Sequence, residues 1–146
     1  DRQYRAILSF NTSILPDKAV VTGIVLAIRR QDIGGTNPFT THGNIRVDIR
    51  KGAFGSNALQ AGDFEAGANK NNVGTIQDLP DADDWYITKL LATAYGCINP
   101  VGVTQLRLRF ATGDNDDAGA DFLKFYSGDT GSLSNRPMVI IMYYVP

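Results

Sequence analysis

The sequence has almost none of the residues that metal, redox and nucleophile chemistry draw on. Among its 146 residues there is one Cys, one His, one Trp and two Met. Cys97 alone cannot form an internal disulfide. Cys poverty suits the cytosol, and equally secreted bacterial proteins large enough to fold without bridges. Zinc needs several His or Cys ligands, more than His42 and Cys97 supply. A Ser-His-Asp or Cys-His site would have to use His42, which sits in a Thr-His-Gly-Asn turn with no nucleophile motif beside it. Cys97, between Gly96 and Ile98, reads as a small buried filler. No Gly-rich phosphate loop leads from a strand into a helix. No apolar run approaches the ~18 residues of a membrane span, and no signal peptide opens the chain. Carboxylate pairs for glycosidase chemistry are numerous, yet nothing in the sequence sets two of them across a groove. The chain is read as non-enzymatic.

An excess of charge is missing too. Fourteen Lys and Arg face fifteen Asp and Glu, the net charge is −1 and the pI about 5.7. No basic block appears, so there is no general attraction to nucleic acid or an anionic membrane. Glu itself is nearly absent, Glu65 being the only one. Asp favours turns and caps where Glu favours helix interiors. Together with 15 Gly and ten Asn, this describes many strands joined by many turns. The length fits one domain spanning 1–146. A chain of this size buries roughly 70% of its unfolded surface and needs no staples. Asp1 opens directly into a strand-like pattern, which is read as an excised or processed module of a larger protein.

What is present is alternation. Tyr4, Ala6, Leu8 and Phe10 share one face of a first strand, assigned to the core. Val20 to Arg29 forms a long second strand with Ile24, Leu26 and Ile28 inward, and Gly23 marks a bulge or close approach. Gln31 to Asn44 reads as a loop. Ile45, Val47 and Ile49 point in, and Arg46, Asp48 and Arg50 point out. Residues 56–64 are the best helical stretch, capped by Ser56 or Asn57 and packed by Leu59. Short strands follow at Val73–Ile76 and Trp85–Thr88. Thr104–Phe110 alternates strictly, with Leu106, Leu108 and Phe110 inward and Arg107 and Arg109 outward. Phe122–Tyr126 comes next. The last run, Met138–Tyr144, is apolar on both faces, which predicts a central strand with its outer face covered by loops or a neighbouring module. About eight strands and no strand–long helix–strand rhythm predict an all-β antiparallel sandwich, jelly-roll-like, with one short helix near 56–64.

Two segments carry a resemblance. Arg5-Ala-Ile-Leu-Ser-Phe10, Leu15-Pro16 and the strand from Val20 resemble the opening of DNRLRE-type domains, which are close to the alginate-binding carbohydrate-binding family 96. Asp121 to Asp129, then Asn135-Arg136-Pro137 ahead of Met138–Tyr144, resembles their close, where a Tyr-Ser-Gly turn and an Arg-Pro pair precede the final strand. Those domains generally carry a strand before the Arg-bearing one, where this chain has only Asp1-Arg-Gln3. The resemblance implies a jelly-roll-like sandwich, an extracellular or cell-surface setting, and a non-catalytic binding or structural role.

Three constellations are candidates for contact. Asp114, Asp116, Asp117 and Asp121 place four carboxylates in eight residues. Two like charges ~6 Å apart repel by about 0.7 kcal/mol in water and nearly 3 kcal/mol at an effective dielectric of 20. The loop is therefore either solvated, Arg-paired, or tied by a hard cation such as Ca²⁺, although Ala118 breaks the EF-hand register. Trp85 and Tyr86, beside the acidic stretch Asp78–Asp84, are candidates for a sugar platform, against the ordinary fate of burial. Arg46, Arg50, Arg107 and Arg109 form a basic strip if their strands are neighbours. Such a strip fits an anionic polysaccharide, and its ordinary alternative is an outer face balanced by Asp48. The functions weighed are a polysaccharide-binding accessory module and a structural or assembly module. The partners expected are a polysaccharide, neighbouring modules, or a second copy through an open strand edge near Asp1, without nucleic acid or membrane insertion.

Overall fold

Eight strands lie in two antiparallel sheets, and their inner faces share one core. The computed structural model describes residues 3–146. The edge expected near Asp1 falls outside the described residues. The first sheet has the order β1 (Ala6–Asn11), β6 (Val103–Phe110), β3 (Ile45–Lys51), β4 (Lys70–Ile76). The second is organised on β2 (Val20–Gly35), with β5 (Trp85–Lys89), β7 (Asp121–Phe125) and β8 (Met138–Tyr144). The all-β sandwich read from the alternation is the fold. Among the described residues, no helix is long and apolar enough to cross a membrane.

The core follows the period of two. Ile24, Leu26 and Ile28 of β2, Ile45, Val47 and Ile49 of β3, and Leu106 and Leu108 of β6 are all buried together. A period-2 strand presents alternate side chains to one face, so three such strands close a continuous apolar layer. Gly23 does sit at a register shift between β2 and β8, and a Cβ there would overlap the end of the Met142 side chain. Tyr4 departs from the expectation. It lies ahead of β1 and is 71% exposed.

β2 runs further than its alternation suggests, through Arg29-Arg-Gln-Asp to Gly35. Its polar second half is held by pairing rather than by burial. β5 pairs with residues 25–29, β8 with residues 20–27, and β7 with residues 30–35. The Arg29 carbonyl accepts from the Tyr126 amide, whereas the Arg30 amide donates to the Asp84 carbonyl. Successive residues in a strand hydrogen-bond to opposite sides. β7 therefore lies on the same side of β2 as β8, and the two follow one another along that side.

Two expectations are corrected. β8 is not central: among the described residues it pairs only with β2. Val139 and Ile141 pack on the core, while Met138, Ile140 and Met142 are 46%, 52% and 44% exposed. An apolar run without a period does not tell a central strand from an edge strand. The helix at 56–64 shrinks to a 3-10 turn at Ala61–Phe64, with Gln60 and Asp63 capping each other and Leu59 exposed. Gly62 and the scarcity of apolar side chains leave no face worth burying as a helix. A four-residue helix, α1 (Pro38–Thr41), forms inside the expected loop. Asn37 caps it and Pro38 opens it, so both its N-terminal requirements are met by sequence.

Candidate functional site

The arginine strip is real as geometry and closed as a surface. β3 and β6 are neighbours, and Arg46 stands opposite Arg109 and Asp48 opposite Arg107. Asp48 is fully buried in their midst. Its Oδ2 accepts from Arg107 Nη2 at 3.1 Å and from Arg109 Nε at 3.0 Å, and its Oδ1 from the Asn72 amide at 3.0 Å. A bulge in β4 turns that amide toward Asp48, with Asn72 at φ +54°. Burial works against the Asp48 charge more than any other single effect. The donors from Arg109, Asn72 and Arg107 together outweigh it and hold its pKa below the ordinary 3.8.

Arg107 has a second task. Its Nη1 donates to the carbonyls of Asp63, Phe64 and Ala66, and its guanidinium lies 4.5 Å from the centre of the buried Phe54 ring. Gln105 accepts from the Phe54 amide at 2.7 Å. The segment from Gly52 to Gly67 is thus strapped over the outer face of the first sheet. Arg107 is 5% exposed and faces this strap rather than solvent. Arg46 donates to Thr75 Oγ1 and Arg50 to the Gly67 carbonyl. The four guanidinium groups act as internal fasteners.

Tyr86 is core, 1% exposed, with its hydroxyl donating to Asp78. Burial, then the Asp78 hydrogen bond, pushes its pKa up to about 12. It offers no platform. Trp85 is half-buried opposite Arg29 on the outward side of the second sheet.

The largest cavity lies elsewhere, at about 340 Å³, within the range of small-ligand sites. The start of β1, the end of β6, the acidic loop and β7 enclose it. Phe39 of α1 packs on Tyr86 and Phe110, and this sets the next turn so that His42 rests against Phe110. His42 Nε2 is 3.5 Å from Asp121 Oδ2. The loop is pinned at both ends by one stretch of chain. The Thr112 amide donates to the His42 carbonyl and the Thr36 amide to the Ala120 carbonyl.

Within the loop, Asp114 accepts from the Asp116 amide and Asp117 from the Gly119 amide. These are Asx turns, which the Asp-rich sequence forms locally. Asn115 Nδ2 donates to Asp117 Oδ2 at 2.7 Å and to Asp121 Oδ2 at 3.3 Å, so one amide is shared by two carboxylates. Asp116 is exposed and does not line the cavity, whereas Asp114, Asp117 and Asp121 do. Among the described residues no group of three or more His, Cys, Asp or Glu stands where it would hold a metal ion.

No protein-family model, curated protein or solved structure matches the chain. The functional reading therefore rests on the cavity and on the quoted residues.

Of the residues singled out from sequence, Asp114, Asp117, Asp121 and Arg109 line this cavity. Arg46, Arg50, Arg107, Trp85, Tyr86 and Asp116 do not. Missed were His42, Asn115, Tyr4 and Phe122. The signal for His42 was available: it is a lone His beside Gly in a chain otherwise free of His.

Proposed function

We propose that this chain is a non-catalytic extracellular module that binds carbohydrate as an accessory domain, as the DNRLRE-type resemblance implies. The observation that carries the reading is the open cavity beside the acidic loop. It combines carboxylates and amides, which accept and donate to sugar hydroxyls, with the exposed Tyr4 ring and Phe122, which suit the apolar face of a pyranose. The non-catalytic reading is supported by the lining itself, which includes neither Ser nor Cys beside the His42–Asp121 pair.

A glycan array tests this. Binding to a defined set of oligosaccharides is the expected result, and no binding to any glycan is the result that removes the proposal. Calcium enters the proposal as an ion for Asp114, Asp116, Asp117 and Asp121. Running the same array in CaCl₂ and in EDTA decides it, since equal signals in the two buffers remove the ion.

A structural or assembly role is the second reading, favoured by β8. Its free edge carries no charge along Met138–Tyr144, and its outward face is apolar. Such an edge is a template for another strand. Under this reading light scattering after size exclusion gives a mass above that of the monomer. A monomer at high protein concentration eliminates self-assembly through β8.

A further inference from the structure

We propose that the floor of this cavity is a subsite for the hydroxyl groups of an uncharged sugar, with Asp121 as the acceptor, and that the site rejects uronic acids. The inference rests on the carbohydrate reading and makes it narrower.

The Asp121 side chain is 4% exposed and lines the cavity. Its Oδ2 lies near His42 and the shared Asn115 amide, but its buried Oδ1 has no hydrogen-bond partner. Nearly all buried polar atoms in folded proteins are partnered, and an exception calls for an account. A carboxylate oxygen accepts only, so what completes it must donate. The Nδ1 of His42 is buried and unpartnered as well. With its Nε2 proton directed at Asp121, that nitrogen is a second acceptor. Two neighbouring acceptors without donors match two hydroxyl groups on adjacent sugar carbons.

The surrounding charge excludes an acidic sugar. Asp114 and Asp117 add two carboxylates to the same lining. The arginines that touch the cavity are already engaged: Arg5 with Glu65 and the Phe64 carbonyl, and Arg109 with Asp48 and Asn72. No free guanidinium among the lining residues remains to receive a uronate. A uronate carboxylate would meet like charge and offer no donor to Asp121. This reverses the preference drawn from the arginine strip, because that strip is buried under its own strap.

Isothermal titration of the intact chain tests the inference, with the methyl glycosides of glucose, galactose and mannose, the matching uronates, and glucosamine as probes. At least one neutral glycoside is expected to bind about tenfold or more tighter than its uronate. Asp121→Asn, checked for folding by its melting curve, is expected to weaken that binding about tenfold, the usual effect of losing a hydrogen bond to a charged group. A uronate that binds as well as or better than its neutral partner overturns the inference and leaves the carbohydrate reading standing. So does glucosamine binding more tightly than every neutral sugar, or a folded Asp121→Asn protein with unchanged affinity. Absence of binding by all probes together with a blank glycan array overturns both. The comparison of neutral sugar with uronate needs no variant, so it remains decisive if Asp121→Asn does not fold.

Discussion

Replacing Asp48 with Ala is expected to lower the unfolding free energy by about 3–5 kcal/mol, the cost of removing one partner from a buried ion network. Two guanidinium groups would lose their shared acceptor, and one of them, Arg107, is itself buried. The Asn72 amide in the β4 bulge would lose its acceptor too. The strap from Gly52 to Gly67 would then sit on an unbalanced Arg107. Urea unfolding followed by fluorescence measures the loss, and a change below about 1 kcal/mol, the scale of an exposed ion pair, would show that the network does not hold the strap.

The same residue sets an acid limit. Because the folded Asp48 has a pKa below the ordinary 3.8, the unfolded chain takes up its proton first as pH falls. The contribution is complete at neutral pH and disappears as pH drops below about 4 through the lower folded value. The urea midpoint of the native protein should therefore fall over that window, and Asp48→Asn should fall less steeply there.

Gly35→Ala is expected to damage both fold and site. Gly35 has φ +72°, and a Cβ would overlap the Ala120 carbonyl oxygen. The left-handed backbone alone costs a non-glycine residue about 1–3 kcal/mol. Relief of the overlap has to displace Ala120, whose carbonyl holds the Thr36 amide, and with it Asp121, which pairs with Gly35. A lower melting temperature with loss of glycan binding is the expected pair of results. A variant with native melting temperature and native binding would mean that the β2–β7 register does not position the cavity floor.

How much of this was legible depended on where the information sits. Ile45–Arg50 and Thr104–Phe110 alternate because one face is in the core, and their inward residues are buried as read. The second half of β2 was not legible, since Arg30-Gln-Asp32 belongs to a strand only through the pairing of distant β7. Asp48 looked like an outward, solvated charge because a strand pattern separates core from outside but cannot register a strap laid over the outside. The acidic loop was visible by composition. Its joining to His42 was not, since that contact depends on α1 and on the packing of Phe39 between Tyr86 and Phe110.

The most direct measurement of the central claim is an amide chemical-shift map during titration with a neutral methyl glycoside. The account predicts that perturbations concentrate at His42, Asn115 and Asp121 and along the loop from Ala111 to Ala120. Perturbations centred instead on Arg46, Arg50 or Trp85 would contradict it and return the binding surface to an outer sheet face.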